Sequence, residues 1–208
     1  MPYRPTPRTE ARKARVRERI VGAALAQLAD GGYASASVQA VAARAGVATG
    51  SVYRHFPSKR DLFTEVFRRA SGRELERMSA VAADTTVSAR ERIAAAVEVF
   101  TRRAVAAPVR AFALIAEPVD PAVEAERLAF RSGYRDVFLE VIEQGIEAGE
   151  IAPCDAPTVA AALVGALGEA LVGPLAQPAV RGGSHEPLVA TLVQFALGAL
   201  PAPVPTPV

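Results

Sequence analysis

Residues 37–63, SVQAVAARAGVATGSVYRHFPSKRDLF, leave the backbone few choices. Ser37 is a hydroxyl cap in front of Val38, Val41, Ala42 and Ala45, apolar side chains that share one face at helical spacing. Ala42 is small enough to let a second helix approach closely. Gly46 falls where a turn asks for positive φ, Val47 plugs that turn from beneath, and Thr49 is the expected cap of the next helix. The run therefore predicts two short helices packed across a tight turn.

In the second of these, Val52 and Phe56 are four residues apart and share the buried face. That leaves Thr49, Gly50, Ser51, Tyr53 and Arg54 turned outward. Short hydroxyls, an aromatic ring and an arginine suit contact with phosphates and base edges. Next, Ser58-Lys59-Arg60-Asp61 reads as a capping-box-like start to a third helix. It places Lys59 and Arg60 in a first turn, where the helix dipole disfavours cations. A phosphate there reverses the sign, since free backbone amides and both cations together form an anion site.

The stretch VAARAGVATGSVYRHFPSKRDLF closely resembles the DNA-binding domain of TetR-type transcriptional regulators. The likeness lies in the small residue-Gly-Val turn, the Tyr-x-x-Phe end of the short recognition helix, and the Ser-Lys helix start. It covers residues 17–67; the remainder is similar to the family only in length and all-helical pattern. The resemblance implies phosphate contacts from Tyr53 and Lys59, and a phosphate contact or a turn-supporting role for His55. It further implies backbone or base contacts from Ser37, Thr49 and Ser51, with Gly50 on the same face. Where familiar members carry a second aromatic residue, this chain has Arg54. Its planar fork suits guanine in the major groove, a surface or phosphate contact being the alternative.

Charge supports a polyanion partner. Residues 1–60 hold 11 Lys/Arg against 3 Asp/Glu, whereas residues 61–208 hold 13 against 19, although the whole chain carries only +2. A basic third on an acidic body is the footprint of a nucleic-acid-binding module attached to something that does not bind polyanions. One cysteine, Cys154, excludes an internal disulfide, and with two histidines it makes a Cys/His metal centre improbable; no cofactor is expected. The N-terminus lacks the apolar core of a secretory signal, and no apolar run of spanning length is free of charge. A cytoplasmic protein without a membrane is the expectation.

Strand-like alternation is absent, so the expected fold is all-α: an N-terminal three-helix helix-turn-helix DNA-binding domain plus a C-terminal helical ligand-binding and dimerisation domain. Residues 1–9 read as a disordered basic arm, 10–67 as the DNA-binding domain, 68–200 as the effector-binding and dimerisation domain, and 201–208 as a disordered Pro-rich tail. A first helix over residues 10–30 stops at Gly31-Gly32, with Tyr33 opening a loop. Ser88-Ala89-Arg90-Glu91 is a capping box, and Asp120-Pro121 starts a long helix that Gly149 ends. The helix at 155–176 is apolar nearly all round and that at 185–200 carries two adjacent apolar faces, which points to a homodimer interface or to burial inside one subunit. The family resemblance implies the former.

No catalytic constellation stands out in the body, so an enzyme is not expected. Phe130, Tyr134 and Phe138 fall on one helix face, and with Phe100 and Phe112 they wall either an apolar pocket or an ordinary core. Arg131 and Glu169 are the charged candidates for that pocket; Glu169 interrupts an apolar run and equally suits the rim of a helix bundle. The composite expectation is a repressor that binds a palindromic double-stranded DNA operator and is released by an unknown small apolar or amphipathic effector. A ligand-independent DNA-binding or protein-interaction module is the alternative.

Overall fold

The computed structural model describes residues 6–176 and 184–202, and among these residues the regular structure is entirely helical. Helix α1 (Pro7–Ser35) opens behind Thr6, whose hydroxyl accepts from the Thr9 amide at 3.3 Å. Residues 7–9, assigned from sequence to a disordered arm, thus already belong to the helix, with Thr6 as its cap. Pro7 is preorganised for a first turn, where its missing N–H has no intrahelical partner to lose. Residues 1–5 of that arm lie outside the described residues. The inner face of α1 begins at Ile20 and the helix breaks at Gly32 (φ 74°, ψ −173°). One further turn to Ser35 contains Tyr33, which the sequence had placed in a loop.

Helices α2 (Val38–Ala45), α3 (Thr49–His55) and α4 (Lys59–Ala82) follow. The Ser37 and Ser58 hydroxyls accept from Ala40 and Asp61 amides, each at 3.1 Å, because both caps satisfy donors three residues on. Gly46 adopts the left-handed conformation (φ 63°, ψ 43°), and the following Val47 amide donates to the Ala42 carbonyl at 3.0 Å. Thr49 is not the cap of α3: Ala48 occupies that position with no side-chain bond, and the threonine hydroxyl falls one residue too late. Gly46→Ala should destabilise the chain by about 1–2 kcal/mol, the cost of left-handed backbone for an L-residue, measurable as a lower denaturant midpoint.

Helices α5 (Ala89–Ala106), α6 (Pro108–Ile115), α7 (Pro121–Glu147), α8 (Ala156–Ala176) and α9 (Glu186–Gly198) build the body. The Ser88–Glu91 capping box and the Asp120 cap are both formed. Ile93, Val97, Phe138, Ile142, Leu163, Leu167 and Leu171 form its core, with Leu192 and Ala196 of α9 packed onto it. The head has a second core of Ile20, Leu28, Val41, Val52, Leu62, Phe63 and Phe67. Ala113 of α6 and Val123 of α7 are buried in this head core, and α4 runs unbroken through residues 67 and 68.

Helix α8 is long and apolar enough to cross a membrane by length and composition alone, with a mean hydropathy of 1.8. Its Ala160, Leu163, Leu167 and Leu171 are seated in the body core, while Ala161, Ala162, Gly165, Glu169 and Ala170 are exposed. Only 28% of its apolar window is buried. On α9 the Phe195 ring is 48% exposed, so both helices carry an apolar surface without an intrachain partner among the described residues. Pro201, assigned to a free tail, accepts from the Ala152 amide at 3.3 Å; residues 203–208 lie outside the described residues.

Candidate nucleic-acid interface and effector cleft

Burial of Val52 and Phe56 fixes the rotation of α3, and the helix therefore presents Gly50, Tyr53 and Arg54 to solvent. Thr49, Ser51 and His55 are half-buried along its edges, as is Ser37 at the start of α2. Tyr53 is 46% exposed, an unusual position for a ring in a head with a well-filled core. Among the described residues Arg54 has no carboxylate within ion-pair distance, whereas Arg44 pairs with Asp30 at 2.5 Å. Arg19 donates to the Ala45 and Gly46 carbonyls at 2.5 and 3.2 Å, so it secures the turn between α2 and α3. Sequence reasoning missed that role, because the pair is separated by 26 residues.

Lys59 and Arg60 do not sit together as a bare anion site. The Lys59 ammonium lies 4.5 Å from the centre of the Tyr33 ring and 5.7 Å from that of Phe63, and donates to the Tyr33 carbonyl at 3.3 Å. Two of its three N–H donors are left for an external oxygen. Arg60 turns away to Asp120 at 3.2 Å, bridging head and body.

A stronger link between head and body was invisible in the sequence. Glu117, buried after α6, accepts from the Tyr33 amide at 2.7 Å and the Ala34 amide at 2.9 Å. These donors are exposed by the break at Gly32, and a carboxylate satisfies both with charge-assisted hydrogen bonds. Nothing local to residue 117 signals a partner more than eighty residues away.

The body contains a cleft of about 840 Å³, including its open mouth, between α4, α5, α6, α7 and α8. Phe100, Phe130, Tyr134 and Phe138 form one wall, with the Phe100 and Tyr134 rings edge to face at 5.5 Å. Burial pushes the Tyr134 hydroxyl's pKa up, keeping it neutral. Of the seven residues expected there, Phe100, Phe130, Arg131, Tyr134 and Phe138 line the cleft. Phe112 does not; it packs half-buried against the body core. Glu169 does not either, because it points to solvent from the outer face of α8, the rim position. Arg103, Arg110, Arg127 and Glu74 join the lining unanticipated. Burial opposes ionisation of Glu74, but the bidentate Arg103 contact at 2.5 and 3.0 Å outweighs it and holds the carboxyl below its ordinary range.

A helix-turn-helix head with an exposed reader face, joined to a helical body with an aromatic-walled cleft, defines the class of helix-turn-helix regulators with a helical body. Residues 20–66 match the family model described as bacterial regulatory proteins of the tetR family, and residues 86–170 match that of the tetracyclin repressor-like C-terminal domain. The chain belongs to the tetR family, whose members are DNA-binding transcription regulators and not enzymes. It is 47% identical over 72 residues to the HTH-type transcriptional repressor KstR of Mycolicibacterium smegmatis, covering 35% of this chain and 33% of that one. The fatty acid metabolism regulator protein of Bacillus subtilis is 37% identical over 59 residues, covering 28% and 30% respectively. These matches span about a third of each relative's length. The transcriptional regulator FadR from Bacillus subtilis, solved in complex with stearoyl-CoA, shares the fold at 20% identity with a TM-score of 0.74, over 88% of this chain and 98% of that one.

Proposed function

We propose that the protein is a homodimeric repressor that reads a palindromic operator through α3 and is released when a small amphipathic molecule fills the body cleft. The observation that carries the DNA reading is the outer face of α3, where Gly50, Tyr53 and Arg54 stand free on a helix whose opposite face is locked into the head core. Two such helices related by a two-fold axis call for half-sites about 34–36 Å apart. Support for the dimer comes from the exposed apolar faces of α8 and α9. Support for the effector comes from the aromatic cleft and from a fold shared with a regulator solved with stearoyl-CoA. An operator places the protein in the cytoplasm.

Titration of duplex DNA against salt tests the reading. The logarithm of the association constant should fall linearly with the logarithm of salt concentration, at a slope of about −0.9 per phosphate neutralised. A protein-interaction module would show no such dependence on duplex DNA. Arg54→Ala should cost about 1–3 kcal/mol on the preferred site and flatten sequence preference. Lys59→Ala should weaken all duplexes alike and reduce the salt slope by about 1. Identical behaviour of the two variants would remove Arg54 from base readout.

A further inference from the structure

The cleft is mostly apolar, yet four arginines stand among its lining side chains. One carboxylate, Glu74, accompanies them, and it is already engaged by Arg103. Arg131 has no carboxylate within ion-pair distance among the described residues, and Arg110 has only Glu74 at 3.9 Å. Arg127 is the most deeply placed. Its guanidinium donates to the Leu114 carbonyl at 3.1 Å, to the Ala113 carbonyl at 3.1 Å, to the Glu117 carbonyl at 2.6 Å, and to the Glu124 carboxylate at 2.6 Å. Four of its five N–H donors are thereby used. Desolvation lowers its pKa and the neighbouring positive charge of Arg131 adds to that effect, while the carboxylates of Glu124, its ion-pair partner, and Glu117 oppose it.

A neutral apolar guest would strip water from these cations and give nothing in return. An acid would neutralise them. The same arginine holds the carbonyl of Glu117, whose carboxylate grips the Tyr33 and Ala34 amides of the head. One side chain therefore touches both the cleft and the residue that fastens the body to α1.

We propose that the cleft receives an organic acid with an apolar tail, and that Arg127 gives up carbonyl acceptors at the end of α6 for the acidic group, which loosens the Glu117 grip on the turn after Gly32. The inference rests on reading the cleft as an effector site. It specifies the guest's chemistry and the route by which occupancy reaches the reader helices. The two states differ in the partners of Arg127, which supplies the differential affinity that coupling requires.

The test uses the full chain without DNA. Binding of dodecanoate, lauroyl-CoA and dodecan-1-ol, each below its micelle concentration, is measured by calorimetry. Amide hydrogen exchange at Tyr33 and Ala34 is followed by NMR in the same samples. At least one acid should bind about ten- to a hundredfold more tightly than the alcohol, the scale of one charge-assisted hydrogen bond. The two acids separate a free carboxylate from an acyl nucleotide thioester as the recognised form. Exchange at both amides should accelerate on saturation with that acid.

Arg127→Gln should narrow the preference for acid over alcohol. Arg131→Gln, at an exposed position, should do so even if the first variant folds poorly. Glu117→Gln should retain acid binding, exchange rapidly at Tyr33 and Ala34 before any ligand is added, and show no further change with it. Equal affinity for acid and alcohol overturns the assignment of ligand class. Tight acid binding with unchanged exchange overturns the route. Failure of all three compounds to bind overturns both, together with the effector reading, and leaves DNA recognition standing.

Discussion

Gly165→Glu should turn the protein into a monomer in sedimentation velocity and weaken operator binding by two orders of magnitude or more. Gly165 lies on the exposed face of α8, and a side chain added there meets nothing within 4 Å, so the subunit itself should fold. A glutamate is also a better helix former than glycine. In a two-fold interface through this face of α8, however, two copies of the new carboxylate and of Glu169, one turn away on the same face, are gathered between the mates. Like charges brought together in an interface cost several kcal/mol, enough for a loss of about a hundredfold or more. DNA affinity should follow, because two linked heads bind far better than two separate ones. A variant that still sediments as a dimer would show that the mates pack elsewhere.

Gly32→Ala should be the most damaging single-methyl change in the head. At φ 74° and ψ −173° the backbone occupies a region essentially reserved for glycine, with a strain of about 1–3 kcal/mol for any other residue. The added carbon would also lie 2.8 Å from one Glu117 carboxylate oxygen and 3.0 Å from the other. That carboxylate cannot retreat without abandoning two part-buried amides, and a hydrogen bond to a charged group contributes about 1.5–3 kcal/mol. Together the terms amount to several kcal/mol, a large part of the stability of an ordinary domain. Denaturant unfolding should show a much lower midpoint, whereas Gly22→Ala, on the exposed side of α1 with open space around it, should change little.

The parts of this fold legible in the sequence are those decided within a few residues. Ser37, Ser58, Ser88 and Asp120 act as caps because each bond closes over two or three residues, a distance at which residue identity is enough. Val52 and Phe56 set the face of α3 for the same reason. Thr49 misled because either of two adjacent positions suits the start of a helix, and the turn geometry chose Ala48. The cleft was half legible. Phe130 and Tyr134 reach it together because they share a helix face, but Phe112 and Glu169 depend on the rotation of α6 and α8 against their neighbours, which periodicity does not encode. Contacts that join distant segments left no trace: Arg19 on the turn, Lys59 on the Tyr33 ring, and Glu117 on the end of α1.

The residues sealing the bottom of the head core come from the body. Ala113 and Val123 are wholly buried among Leu28, Phe63 and their neighbours, although they belong to α6 and α7. The reader is thus not a cassette that ends where its last helix leaves it. Cut out at α4, it would expose an unfilled apolar floor; grafted onto a foreign regulator, it would meet side chains shaped for another floor. Chimeras that exchange operator specificity between such regulators would work best when α6 and the start of α7 travel with the head.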